Sequence, residues 1–566
     1  MKKRIICFLA AIFLFANYFP VLAAGPDYSD VPSDHWAAGY ISEATQLGVI
    51  NGVGNGLFGV GQNVTRAQFA AMLVRLFDWE TASPETPSFS DNRDTGAWYY
   101  SAVETAVANG AVLTETSAFR PNDSITREDM AVMLVRALGY DWLAPSAAGY
   151  GVPFTDVADH IGYITIAYNF GIINGMTNTT FEPNGFATRE QAVAMMIRLH
   201  DKYSARIDWL HAFYAISSFS QSAAIADLDA LSFGWSKLQY TADNGVFLNT
   251  TTSDGNEFYI PSGYGSAVQI AQNSSVPTNL NVYMSTSQTV KKTDGAGSDV
   301  CREILLSADN RTEAIAQITS RLKENPFFSG VTIDFEGMYG EDLKAGLTAF
   351  LKELRTVTDK LGKTVYVCVP PATSDGQYYD AYDYRAIGEY SDKVILMAHD
   401  YQATSMPPDL MDAGFTTTPL TPIGEVYYAL KAITDPDTGV RDTDKLALAV
   451  SFNTEQWQLR DGKVINSTPY HPDTGSVYQR LIEPGTTQHY SKLYQNPYII
   501  FYKNSDNTQN VLWYEDERSI AAKIDLARMF GINGVSVWRL GLIPDYGDPP
   551  GRDLNYNVLD CIMSKR

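Results

Sequence analysis

Three segments of this sequence are near copies of one another: TRAQFAAMLVRLF from Thr65, TREDMAVMLVRAL from Thr126 and TREQAVAMMIRLH from Thr188, a period of about 61 residues. Each follows an aromatic turn, LFGVGQNV, FRPNDSI or FEPNGFA. Further upstream come YSDVPSDHWAAGYISEATQLGVING, FSDNRDTGAWYYSAVETAVANGAV and FTDVADHIGYITIAYNFGIING. The unit reads as helix, loop, helix. Its Thr is a good N-cap, Gln or Glu lies in the first turn, and apolar residues recur at helical spacing. One such unit has too little apolar surface to fold alone, but three can bury their faces against one another. Residues 28 to 200 are therefore expected to form an all-α triple repeat, with units at 25–82, 83–145 and 146–203.

A chain of 566 residues is too long for one core, and the pattern changes after the repeats. Short apolar runs begin at 211 (HAFYAIS), 230 (ALSFGWS), 279 (NLNVYMS), 330 (GVTIDFE), 364 (TVYVCVP), 393 (KVILMAHDY), 446 (LALAVSF) and 534 (GVSVWRLG). Helical stretches such as DNRTEAIAQITSRLKEN and EDLKAGLTAFLKELRTVTDKLG separate most of them. Strand and helix alternating in this way predict an α/β fold, a (β/α)8 TIM barrel over 204–566. A Tyr-, Asn- and Gln-rich insertion at about 453–515 is expected to form a subdomain or cleft wall.

The first 24 residues read as an export signal. Lys2, Lys3 and Arg4 precede an apolar run, and small residues follow near Ala23 and Ala24. A retained membrane anchor is the rival reading, but the run is short for a span. No later stretch is long and apolar enough to cross a membrane. Cys301, Cys368 and Cys561 fit neither a disulfide framework nor a zinc site, although one pair could bridge. A formal charge of −22 does not favour nucleic acid as a partner. No His-Glu-x-x-His, nucleophile elbow or phosphate-binding glycine loop is present, so no metal and no cofactor is expected.

The run at 330 carries the sharpest signal. With a period of two, Val331, Ile333 and Phe335 share one face, while Thr332, Asp334 and Glu336 share the other. A buried carboxylate is costly unless it is paired or hydrogen-bonded. In a barrel the polar face points into the lumen, and Glu336 would stand at the C-terminal rim, where such barrels keep their active sites.

The repeats resemble S-layer homology modules through the Thr-Arg-Ala/Glu element, the Phe-x-Pro turn and the Asp-Val start. The resemblance implies binding to a secondary polymer of a Gram-positive-type cell wall, hence a secreted, wall-attached protein. Arg66, Arg127 and Arg189, with Trp36 and Trp98, become candidate polymer contacts, since a guanidinium fork suits an anionic glycan. The alternative is that each Arg only ties its own loop. The third unit has Asp159 at the Trp position, and Leu113-Thr114 replaces the Asn-Gly of the other units, so the grooves are not equivalent.

The back half resembles family 18 glycoside hydrolases, most closely the spore-cortex and germination type of N-acetylglucosaminidase. SGVTIDFE is similar to their Asp-Gly-x-Asp-x-Asp-x-Glu signature, and YDYRAIGEYSDKVILMAHDY and LWYEDERSIAAKIDLARMFGINGVSVWRLG follow in order. The resemblance implies a retaining reaction in which the substrate's own acetamido oxygen is the nucleophile, an exception to the two-carboxylate scheme. Glu336 would be general acid and then base, and Asp334 would hold the acetamido N–H. Two such carboxylates lie about 6–7 Å apart along a strand.

Asp400 matches the family pattern on the sixth strand together with Met397. His399 stands where Tyr is usual, and Tyr401 could substitute for it. Trp538 would floor the sugar site, and Trp235 and Tyr283 are further cleft candidates. Ser329 and Thr332 replace two aspartates of the signature. The expected substrate is a β-1,4-linked N-acetylglucosamine glycan, peptidoglycan or chitin-like. The alternative is a glycan-binding scaffold that has lost turnover.

Overall fold

The computed structural model describes residues 28–291, 297–375 and 379–566; the expected export signal lies outside the described residues. The chain forms two compact units, one taking in residues up to 133 with 183–197, the other 134–182 with 198–566.

In the first unit the Thr65 and Thr126 hydroxyls cap their helices as expected, whereas the Thr188 hydroxyl is buried without a partner. Thr65 forms a capping box at the start of Arg66–Leu76: its hydroxyl accepts from the Gln68 amide, and the Gln68 side chain accepts from the Thr65 amide. Thr126 and Thr188 make halves of the same pattern with Asp129 and Gln191. The segments leading into the caps pair with one another through the bridges Thr65–Ser124, Thr126–Phe186 and Asn63–Thr188, which close a ring. The Asp that opens each repeat fastens its aromatic turn. Asp30 accepts from the amides of Phe58, Gly59 and Val60, and Asp91 from those of Phe119 and Arg120. Asp156 does the same for Phe181 and Glu182 in the second unit.

The second unit contains the barrel. Its strands are β1 (Trp209–Tyr214), β2 (Ala230–Thr241), β3 (Thr278–Ser285), β4 (Phe328–Glu336), β5 (Thr364–Val369), β6 (Lys393–Leu396), β7 (Leu446–Ser451) and β8 (Gly534–Trp538). All eight are parallel, each pairs with the next, and β1 pairs with β8 to close the ring. All eight runs read from the sequence are barrel strands. Helix Glu341–Leu361 shows how the outer layer is made: its buried stripe, Leu343, Leu347, Phe350, Leu351 and Leu354, follows the helical period.

Between β7 and β8 the chain leaves the barrel to form a five-stranded antiparallel sheet. Its strands run from Glu455–Arg460 to Thr508–Trp513, within the insertion expected from the sequence. Leu512 packs on one side of this sheet with Val477 and Ile499, and Trp457 on the other with Val511 and Trp513. The 134–182 segment packs with the barrel helices: Phe170 meets Phe530 edge-on at 5.4 Å, and the Asn169 amide donates to the Tyr427 hydroxyl at 2.7 Å. Cys301, Cys368 and Cys561 are all free. Among the described residues no helix is long and apolar enough to cross a membrane.

Candidate active site

Glycines set both ends of the carboxylate strand. A Cβ on Gly330 would lie 2.3 Å from the Thr364 carbonyl oxygen, so only glycine lets β4 and β5 approach there. Gly337, at φ 72°, turns the chain off the strand immediately after Glu336. Between them Val331, Ile333 and Phe335 are buried against the helical layer. The opposite face points into the lumen. Parallel register sets Asn281 beside Thr332, Tyr283 beside Asp334 and Ser285 beside Glu336.

The lumen is polar in layers. At its base His211 is buried between two hydroxyls, Ser536 and Ser232, each 2.8 Å from a ring nitrogen, and Ser232 lies 2.6 Å from the Thr332 hydroxyl. Burial pushes His211 down to about 3, so this layer is neutral. One layer higher Asp334 is 3% exposed, and the Asn281 amide donates to its Oδ2 at 3.3 Å. Burial raises Asp334 to about 6, against the opposing hydrogen bonds of Asn281 and the Cys368 thiol. Burial and the charges of both carboxylates hold Cys368 well above its usual range, so it remains a thiol.

Glu336, half-buried at the rim, is pushed up to about 8, first by burial and then by the Asp334 charge. His399 and a long 3.4 Å hydrogen bond from the Tyr283 hydroxyl act the other way. A carboxyl that keeps its proton at neutral pH beside one that loses it earlier is a division into acid and base.

The run after β6, two strands from β4, adds His399 and Asp400 to the site. His399 Nδ1 lies 2.8 Å from Asp400 Oδ2. Burial opposes a charge on His399, but Asp400, then Glu336 and Glu515, outweigh it and raise its pKa. Asp400 accepts from Ser451 at 3.0 Å and from Asn453 at 2.5 Å. Burial would raise it, yet His399 and these donors hold it below its usual value. Trp538, at the end of β8, meets Phe213 at 5.0 Å and, with Met397, packs on a cluster of Phe213, Cys368, Ile395, Ala447 and Ala449.

Residues 294–542 match Glycosyl hydrolases family 18, and residues 27–70, 88–131 and 153–193 match the S-layer homology domain. The chain carries a family 18 domain behind three S-layer homology modules. It is 28% identical over 229 residues to the cortical fragment-lytic enzyme of Bacillus subtilis (strain 168), covering 38% of this chain and 47% of that protein. It is 27% identical over 223 residues to an S-layer protein of Bacillus thuringiensis subsp. finitimus, covering 38% of this chain and 26% of that one. The chain thus spans less than half the length of these relatives. The solved spore cortex-lytic enzyme SleL of Bacillus megaterium QM B1551 is 19% identical with a TM-score of 0.46, over 74% of this chain and 86% of that one.

In the barrel, Asp334, Glu336, Tyr283, Met397, His399 and Trp538 occur at the positions described above. Trp235 does not line the cleft: it is completely buried and stacks on Phe233 at 3.9 Å, because alternation sets Phe233 and Trp235 on the face opposite the lumen-facing Ser232. Tyr401 is buried with its hydroxyl unpartnered and bonds to neither carboxylate of β4. The charges that act on its hydroxyl are Glu425, Tyr384 and Asp400, and its amide donates to the Leu420 carbonyl. Asn281, Cys368, Ser451 and Asn453 touch the carboxylates but were not singled out from the sequence. Asn279, Asn281 and Tyr283 alternate on β3 with lumen parity, a signal that was available; Cys368 reads as an ordinary apolar strand residue.

In the S-layer homology modules the arginines tie neighbouring repeats. Arg66 Nε donates to the Phe119 carbonyl at 2.8 Å and Arg189 Nε to the Phe58 carbonyl at 2.9 Å, and each guanidinium lies 5.1 Å from that aromatic ring. The tie therefore runs to another repeat's loop, not to the arginine's own. Arg127 and Arg189 are 4% and 6% exposed, whereas Trp36 and Trp98 are 56% and 62% exposed. Arg66 lines a surface pocket of about 300 Å³ together with Arg120 and Phe186.

Proposed function

We propose that this protein is an exported, wall-anchored glycosidase that hydrolyses β-1,4-linked N-acetylglucosamine glycans. The observation that carries the reading is the pair on β4: Glu336, held protonated near neutrality, two residues from a less basic, buried Asp334. In the retaining, substrate-assisted scheme Glu336 protonates the departing glycosidic oxygen. The acetamido oxygen closes on the anomeric carbon, and Glu336 then takes a proton from the incoming water. Asp334, once ionised, accepts the acetamido N–H and stabilises the positive charge that develops on the ring being formed. Its Oδ1 is buried without a hydrogen-bond partner, as a group reserved for substrate would be.

His399, whose protonated form is favoured by its contact with Asp400, takes the place of the family's usual Tyr and would present its other ring nitrogen to the acetamido group. Trp538 offers an apolar platform for the sugar ring. The S-layer homology modules would hold the enzyme on a secondary wall polymer, with the exposed Trp36 and Trp98 as outer contacts and the arginines mainly supporting the groove.

Turnover of a chromogenic N-acetylglucosamine oligomer by the protein and by Glu336→Gln tests the assignment. A loss of about 100-fold or more is expected for the variant. Equal rates would remove Glu336 from the chemistry. Product analysis on peptidoglycan and on chitin then separates the two substrate classes.

A further inference from the structure

A cavity of about 520 Å³ opens on the flank of the second unit, away from the cleft residues. It lies where residues 138–142 and the end of helix Arg189–Ser204 meet helix Glu517–Met529 and the edge of the inserted sheet. This volume is within the range of small-molecule sites. Trp142, Tyr203 and Tyr490 supply aromatic walls, and Lys202, Lys492 and Arg528 bring positive charge.

The charges on the lining are unevenly satisfied. Asp525 is engaged by Arg528 and Lys565, and Asp141 by Arg136 at 3.8 Å. Lys202 and Lys492 make no ion pair or side-chain hydrogen bond among the described residues, although the Asp201 charge acts on Lys202 from the next position. The Lys202 ammonium is set in a crevice left by two glycines: a Cβ on Gly531 would lie 3.7 Å from its nitrogen, and one on Gly171 would lie 3.9 Å from its Cε. Burial of that ammonium lowers its pKa. Arg528 spends its terminal nitrogens on the Ala205 carbonyl and Asp525, leaving Nε buried with no partner. An uncompensated cation in a crevice is costly, and an anion from outside would relieve it.

We infer that this cavity binds one anionic sugar unit, with a C–H face against the aromatic wall and its carboxylate or phosphate on Lys202 and Lys492. Aromatic rings give an apolar platform for the weakly polar face of a pyranose, and the two ammonium groups discriminate against neutral sugars. The site does not depend on turnover in the barrel. In a wall-bound protein it would add a second glycan contact beside the third repeat, raising the effective concentration of the strand.

The test is calorimetric titration of the full-length protein carrying Glu336→Gln with N-acetylmuramic acid, N-acetylglucosamine 6-phosphate and neutral N-acetylglucosamine. At least one charged sugar should bind about tenfold more tightly than the neutral one, and Lys202→Met or Lys492→Glu should each weaken it by about tenfold. Which charged sugar binds decides between carboxylate and phosphate. In the protein with Glu336 intact, the two lysine variants should leave turnover of the chromogenic oligomer unchanged. Lys492 is exposed, so its variant does not test folding. Failure of both charged sugars to bind, equal binding of the neutral one, or binding indifferent to both lysines would overturn the proposal.

Discussion

His399 Nδ1 stands 2.8 Å from Asp400 Oδ2, and Asp400 is itself held by Ser451 and Asn453 from the end of β7. Asp400 adopts φ 63°, a left-handed conformation that a non-glycine residue accepts only when its surroundings hold it there. The result is an imidazole held beside Asp400 with its protonated form favoured, and the charge of that form acts on Glu336. Where the family resemblance places a neutral Tyr, this chain has a titratable group whose charge lowers the pKa of Glu336, the proposed general acid.

Replacing His399 with Asn removes that charge. Glu336 then loses an interaction that lowers its pKa, so the alkaline limb of the kcat/KM profile should move up by about one pH unit. His399→Tyr should move it in the same direction while keeping a donor for the acetamido oxygen, and so retain more turnover than His399→Asn. Identical profiles in all three proteins would show that His399 does not act on the acid.

The unmodified enzyme should have a bell-shaped kcat/KM profile. In the proposed mechanism activity requires Glu336 protonated, so it should fall as pH rises through about 8. It requires Asp334 ionised, so it falls as pH drops below about 6. The two limbs belong to the pair as a unit, and steady-state rates across this range measure them.

Thr332→Asp restores the third carboxylate of the chitinase signature. In this protein the position is completely buried and bonded to Ser232 above a neutral His211. The new charge should cost on the order of 3 kcal/mol of stability at neutral pH, read by denaturant unfolding. It should also raise Asp334 further and move the acid limb upward. An unshifted acid limb would show that the two positions do not interact.

Anchoring is best tested on the whole chain, because cutting near 200 would strip the 134–182 segment of Tyr427 and Phe530. Trp36→Ala with Trp98→Ala, in a Glu336→Gln background, should reduce co-sedimentation with purified walls. Both side chains are more than half exposed, so folding stability should change by no more than about 0.5 kcal/mol per site. Undiminished sedimentation would exclude the two tryptophans as polymer contacts.

Much of this was legible from local pattern. The caps at Thr65 and Thr126 follow from residue type at a helix start, and the eight strand runs and the shared face of Asp334 and Glu336 from local periodicity, which short stretches of sequence carry in full. Residues whose role depends on a non-local partner were less legible. Trp235 is a cleft candidate in the sequence, but it shares a face of β2 with Leu231 and Phe233, opposite Ser232, and the closed barrel turns the Ser232 face to the lumen. Arg66 and Arg189 looked suited to an anionic glycan, and folding gave their guanidinium groups to the carbonyls of another repeat.

The sequence by itself determined which residues could be a catalytic pair and on which strand they stand, because backbone geometry within one strand settles that. Only the tertiary structure decided their chemistry. The pKa order of Asp334 and Glu336 comes from burial and from Asn281, Cys368, Tyr283 and His399, groups brought to β4 by other strands and loops. Burial and the charges around a carboxyl are properties of a packed site, and no local stretch of sequence contains them.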